Sequence, residues 1–192
     1  MKVTYYVASS IDGYIAGDNG DVSWLEELNI PPEENGYEAF FSTVDALVMG
    51  RRTYEVICGF GVWPYGDKPV WVCTNSKVKS IEGANHQEDT SPESVVEAAH
   101  KMGVAHLWLV GGGSLAVSFI DKSLLTNISV AQMPIILGTG IHLFGRLATS
   151  TLIELRGCQT NASGFLQIDY EINKCKTKHC TGPTSAKPPV GR

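Results

Sequence analysis

Three clusters of hydrogen-bond donors stand where apolar runs of the chain end. Gly111-Gly112-Gly113-Ser114 follows Leu107-Trp108-Leu109-Val110 and leads into a helical pattern over residues 115 to 120. Bare glycine backbone lets an anion approach closely, and the first turn of a helix supplies N–H groups without intrahelical acceptors. Gly50-Arg51-Arg52-Thr53 stands at a second junction of this kind, after Ala46-Leu47-Val48-Met49, where guanidinium forks add to the backbone donors. Thr74-Asn75-Ser76-Lys77 ends a third run, Val70-Trp71-Val72-Cys73. The chemistry this set can do is phosphate binding, although a glycine cluster by itself is equally a tight turn.

As a string, Gly111-x-Gly113-x-x-Ala116 satisfies the dinucleotide fingerprint. A Rossmann domain, however, carries it on the first βα turn and places an acid about 20 residues later. Here several elements precede it, and no Asp or Glu occurs between Asp121 and Glu154. The Rossmann reading fails; phosphate binding survives. In a parallel sheet the three strand ends share one edge, where ligands of α/β folds bind. A pyrophosphate with one further phosphate matches three donor clusters, and NADPH is a ligand of that description.

Other chemistries find less support. The histidines 86, 100, 106, 142 and 179 show no ligand spacing, and no Gly-x-Ser-x-Gly elbow is present. Cys175, His179 and Cys180 offer three ligands where a closed zinc site takes four, so no metal is expected. Five cysteines without a disulfide spacing read as free thiols of a reducing compartment.

The donors need a scaffold, and the pattern supplies one. Val3, Tyr5 and Val7 alternate in a first strand that ends at Ser9-Ser10-Ile11-Asp12-Gly13, and a glycine-bearing loop runs to Trp24-Leu25. Pro31-Pro32-Glu33-Glu34 with Tyr37, Phe40 and Phe41 predicts a helix to about residue 43. The runs at 46–49, 70–73 and 107–110 read as buried strands, with helices from Arg51, from Ser91-Pro92 and after the triple glycine. Residues 128–133, 151–156 and 165–172 look extended without intervening helices. The expected class is α/β: a mainly parallel central sheet flanked by helices, finished by antiparallel strands.

At 192 residues and 43% hydrophobic composition, one domain with a real core is expected. No apolar run approaches a membrane span, and the N-terminus reads directly into a strand without a secretion signal, so a cytoplasmic protein is expected. Residues 1–173 carry a formal charge of −10, and the stretch 174–192 is basic, proline-containing and free of acids. The expectation is a folded domain over 1–173 followed by a solvated tail, and no nucleic-acid partner for so acidic a body.

The ordered set Ala8-Ser9-Ser10-Ile11-Asp12-Gly13-Tyr14-Ile15-Ala16, Trp24-Leu25, Val48-Met49-Gly50-Arg51-Arg52-Thr53-Tyr54-Glu55, Leu109-Val110-Gly111-Gly112-Gly113-Ser114-Leu115 and Pro134-Ile135-Ile136-Leu137-Gly138-Thr139-Gly140 resembles the dihydrofolate reductase superfamily. It resembles more closely the branch containing the reductase domain of riboflavin biosynthesis, the RibD C-terminal domain. The resemblance implies a dihydrofolate reductase-like fold and NADPH as cofactor. By it, Gly50, Arg51, Arg52 and Thr53 with Thr74 and Asn75 face the adenosine side and its 2′-phosphate. Gly111, Gly112, Gly113, Ser114 and Leu115 hold the pyrophosphate, Ala8, Ile15 and Ala16 border the nicotinamide, and residues 17–24 form a lid. Simple core packing is the alternative for Ala8, Ile15 and Trp24.

Two acids are the catalytic candidates under the same resemblance: Asp12, otherwise a turn residue, and Glu34, otherwise an exposed first-turn acid. Ala116 stands where folate enzymes carry a tyrosine, so classical dihydrofolate reduction is not expected. The expected function is reduction of a C=N or C=O in a small heterocycle, of pterin or ribosylated pyrimidine type, by a homodimer. The alternative is a non-catalytic NADP-binding or homodimeric interaction module.

Overall fold

The computed structural model describes residues 1–173. The strands are β1 (Lys2–Ser9), β2 (Tyr14–Ala16), β3 (Ala46–Gly50), β4 (Val70–Cys73), β5 (His86–Asp89), β6 (His106–Gly111), β7 (Asn127–Gln132), β8 (Ile141–His142), β9 (Ile153–Thr160) and β10 (Leu166–Ile172). The helices are α1 (Trp24–Glu27), α2 (Tyr37–Ser42), α3 (Arg51–Gly59), α4 (Pro92–Lys101) and α5 (Gly113–Asp121). Eight strands form one sheet in the order β5-β4-β3-β6-β1-β7-β10-β9, and β2 pairs with β8 in a small second sheet.

From β5 to β7 every neighbouring pair is parallel; β10 runs antiparallel to both β7 and β9. The antiparallel finish therefore begins at β10, while β7, also extended as expected, still belongs to the parallel part. Strands β3, β4 and β6 are near-continuous apolar runs because both of their faces are covered. One face packs Val3, Tyr5, Val48, Trp71, Leu107 and Leu109 against Val95 and Ala99 of α4 and Ala116 and Phe119 of α5. The other packs Leu47, Met49, Val70, Val72 and Trp108 against Tyr54 and Ile57 of α3 and the aromatic side chains of α2. Tyr6 stacks on Phe40 with centroids 4.0 Å apart, and Phe40 meets Trp108 edge-on.

Helix α4 begins where Ser91-Pro92 predicts: the Ser91 hydroxyl oxygen accepts the Ser94 N–H at 3.2 Å, and Pro92 occupies the first helical position. The helix expected from Pro31 is shorter than its pattern. It starts only at Tyr37, whose N–H is accepted by Asn35 Oδ1 at 2.8 Å, after Gly36 with φ +69°. Glu34 consequently lies in the preceding turn and not on a helix. Strand β5 has no apolar signature because it is an edge strand with its middle residues exposed. The expected tail over 174–192, with its cysteines and histidine, lies outside the described residues. Among those described, no helix is long and apolar enough to cross a membrane and no group of three or more His, Cys, Asp or Glu is arranged to hold a metal ion.

Candidate functional site

The carboxyl ends of β3, β4, β6 and β1 lie along one sheet edge, so the register brings the three donor clusters together. Gly50 is opposite Cys73, the residue before Thr74, and Met49 is opposite Gly111. Helices α3 and α5 thus present their N-termini side by side. A Cβ built on Gly50 would lie 3.8 Å from Gly111 O, and one on either Gly111 or Gly112 would lie 3.7 Å from Thr53 Oγ1. No other atom comes within 4 Å of such a group on Gly112, so its α-carbon faces open space beside Thr53. The Gly111–Gly112 peptide is cis.

Arg51 joins the second cluster to the third: its Nε donates to Glu55 at 2.7 Å and its guanidinium reaches the Ser76 hydroxyl. Thr74 Oγ1 accepts the Ser76 N–H at 3.2 Å and donates to Ser76 O at 2.8 Å, which shapes that loop. Arg52 and Asn75 are exposed, and Arg52 makes no ion pair among the described residues. Two cationic side chains, a threonine hydroxyl and two helix N-termini form a donor set suited to phosphate groups.

Close backbone packing fixes the other side of the triple glycine. A Cβ on Gly113 would fall 2.4 Å from His142 O and 2.8 Å from Leu143 O, so only glycine lets the start of α5 lie against the end of β8. On Gly140, with φ +137°, it would fall 2.1 Å from Ala16 O. The small β2–β8 sheet, which carries Ile15 and the buried Ala16, is therefore packed with Gly140 against β2 and with the end of β8 against α5. Leu143 N donates to Gly13 O at 2.8 Å, and Tyr5 Oη donates to Leu143 O at 3.0 Å, tying the same segment to β1.

Asp12 caps this segment from outside. Its two oxygens accept the N–H groups of Leu137 at 3.1 Å and Gly138 at 2.7 Å. The neighbouring Ser10 hydroxyl and the N–H groups of Gly138 and Leu137 hold its carboxyl below the ordinary value. Glu34 is engaged too: Ser163 Oγ donates to its Oε2 at 2.6 Å, and the Asn161 amide reaches its backbone oxygen, fastening the β9–β10 turn to the loop before α2. The loop after β2 carries its own turn, with Gly17 N donating to Asp21 O at 2.8 Å and Asp21 accepting the Ser23 N–H and hydroxyl.

Ala8 lies at the end of β1 against Trp24, Ala131, Met133 and Phe165. The Trp24 ring is 4% exposed, and its Nε1 has no hydrogen-bond partner. Beside this cluster the sheet carries polar side chains that the sequence reading passed over. Ser129 Oγ donates to Asp169 Oδ1 at 2.5 Å, and Gln167 Nε2 donates to Ser129 Oγ at 2.8 Å. The alternation in Leu166-Gln167-Ile168-Asp169-Tyr170 was the available signal, but without the register such a polar face reads as solvent-facing.

A mainly parallel sheet with an antiparallel end, glycine-opened helix N-termini and a long first loop define the dihydrofolate reductase-like fold class. Within that class the chain belongs to the RibD C-terminal domain family, whose profile matches residues 59–166. Over 158 residues it is 32% identical to the protein YwjB of Bacillus subtilis (strain 168), covering 81% of this chain and 90% of that one. It is 29% identical over 133 residues to the dihydrofolate reductase HdrB of Haloferax volcanii, covering 66% of this chain and 65% of HdrB. Among solved structures, a Shewanella sp. PV-4 protein assigned to riboflavin biosynthesis superposes with a TM-score of 0.80 at 28% identity, over 91% of this chain and all, 100%, of that one. The dihydrofolate reductase from Enterococcus faecalis complexed with NADP(H) has the same fold, with a TM-score of 0.60 at 19% identity over 88% and 94% of the two chains.

Proposed function

We propose that this chain is an NADPH-dependent reductase that delivers hydride to a C=N or C=O of a small heterocycle, of pterin or ribosylated pyrimidine type. One observation carries the proposal: the N-termini of α3 and α5 meet beside Gly112, which has open space next to Thr53, at the carboxyl edge of the sheet where Ala8 also lies. Bound there, NADPH would supply the hydride. Arg51, Arg52 and Thr53 with Thr74 and Asn75 would hold the adenosine side and its 2′-phosphate. The N–H groups from Gly112 to Leu115 would hold the pyrophosphate, and Ala8, Ile15 and Ala16 would shape the nicotinamide face. The relatives named dihydrofolate reductase and riboflavin biosynthesis protein support a pterin or pyrimidine class of substrate.

Asp12, kept charged by its hydrogen bonds, would orient the 137–138 backbone against the lid and would not lend a proton. Its engagement, with that of Glu34, favours the second reading, a non-catalytic NADP-binding module. Either form would be a cytoplasmic homodimer paired through β9, which among the described residues has β10 as its only strand neighbour and exposes Leu155. A screen of pterins and ribosylated pyrimidines for NADPH oxidation separates the two. Turnover of one member of either class is the expected result, and NADPH binding with no turnover of any would favour the second.

A further inference from the structure

We infer that Asp169, supported by Ser129 and Gln167, is the substrate-recognition element of this site and accepts the N–H groups of an amino-substituted nitrogen heterocycle. The inference rests on the reductase reading above and names a residue set beyond it. Register is the first ground. Tyr6 is opposite Ser129, which is opposite Asp169; one step further along the strands, Ala8 is opposite Ala131, which is opposite Gln167. Because alternate residues of a strand share a face, these six side chains lie on one face in two adjacent rows. Adjacent strands are about 4.8 Å apart, so Gln167 lies about 10 Å across the sheet from Ala8.

Hydrogen-bond polarity is the second ground. A carboxylate only accepts, so the Ser129 proton must point to Asp169, and Ser129 Oγ must then take its own bond from the Gln167 amide nitrogen. The chain Gln167 to Ser129 to Asp169 leaves Asp169 Oδ2 and Gln167 Oε1, both acceptors, turned to other partners. Asp169 Oδ2 is also uncovered on the β9 side. Its cross-strand neighbour there is Gly157, which has no side chain, and a Cβ built on Gly157 would touch that oxygen at 3.6 Å. Asp169 and Gln167 are only partly buried, so a ligand can reach them.

The surroundings suit a flat ring. The Tyr6–Phe40 stack borders the Asp169 row, and Trp24 packs on Ala131 in the Gln167 row. The buried Trp24 indole N–H has no hydrogen-bond partner among the described residues. Burial first, then the charge of Asp169, pushes the Tyr6 hydroxyl up to about 12, so the two groups sense each other across the row. The acids at Asp12 and Glu34, by contrast, are bound to loops.

The test uses the full chain saturated with NADPH and 2,4-diaminopyrimidine as probe, followed by calorimetry. Asp169→Asn is nearly isosteric and should weaken the probe at least about tenfold, as loss of a charge-assisted hydrogen bond does, with NADPH affinity and melting temperature unchanged. Gln167→Met, which keeps the carboxylate, should weaken it several-fold and carries the test if Asp169→Asn does not fold. Equal probe affinity in wild type and both variants, or no binding of the probe to the NADPH-loaded wild type, overturns the assignment. Absence of NADPH binding to the wild type overturns the reductase reading itself.

Discussion

Two neighbouring glycines should respond to alanine in opposite ways. At Gly113 an added methyl group would fall 2.4 Å from His142 O and 2.8 Å from Leu143 O, both backbone atoms that cannot swing aside. Relief requires α5 and the end of β8 to separate by roughly 1 Å, an overpacking cost of about 1–3 kcal/mol. For a chain of this size that lowers the melting temperature by about 2–10 °C. At Gly112 the backbone (φ −92°, ψ −174°) suits any residue, and the new methyl group would meet only Thr53 Oγ1, at an ordinary 3.7 Å. Gly112→Ala should therefore melt within about 2 °C of wild type, helped by the smaller entropy of its unfolded chain. The methyl group would, however, occupy the space through which a phosphate approaches the α5 N-terminus, and NADPH affinity should fall at least about tenfold, or ~1.4 kcal/mol. Thermal melts and NADPH titration by fluorescence read the two effects separately. Wild-type NADPH affinity in Gly112→Ala would refute the proposed phosphate path, and a wild-type melting temperature in Gly113→Ala would refute the clamp between α5 and β8.

Arg51→Ala removes the guanidinium that links Glu55 to Ser76, and it should reduce an NADPH-over-NADH preference about tenfold; an unchanged ratio of the two affinities would move the 2′-phosphate elsewhere. His106 is buried, with Nε2 2.8 Å from Thr4 Oγ1 and Nδ1 3.1 Å from Thr43 O, and burial lowers its pKa below the ordinary value. The unfolded chain then takes up the proton first. The stability contributed by neutral His106 is complete above about pH 6.5 and is lost as pH falls through the folded value. The melting temperature should drop as pH falls below about 6.5, and His106→Asn should flatten that slope; an identical slope would exclude His106 as its source. Light scattering at tens of micromolar should give a dimer, and Leu155→Lys on the exposed face of β9 should weaken it, whereas a wild-type monomer would exclude pairing through this edge.

The donor clusters proposed to hold the cofactor were legible as a group because parallel strands advertise their ends. Apolar runs closing in Gly50, Cys73 and Gly111 lead straight into donor clusters, and topology alone requires those ends to share an edge. Thr53 facing Gly112 then follows from adjacency of β3 and β6. The proposed substrate side was not legible. Glu34 seemed to sit in a first helical turn because Tyr37, Phe40 and Phe41 carry the helical spacing, yet two prolines and the left-handed Gly36 delay the helix to Tyr37. Asp169 was hidden for a different reason. In a strand near a sheet end, alternating polar residues are what solvent exposure also produces, and only the pairing of β10 with β7 reveals that Asp169 shares a face with Tyr6. Tertiary register, not local pattern, carries that information.

The most direct test of the account is a titration of the full chain with NADPH and NADH in parallel, reading the stoichiometry and both dissociation constants. The account predicts saturable binding of one NADPH per chain, at least about tenfold tighter than NADH. Equal affinity for the two nucleotides, or no binding of either, would contradict it.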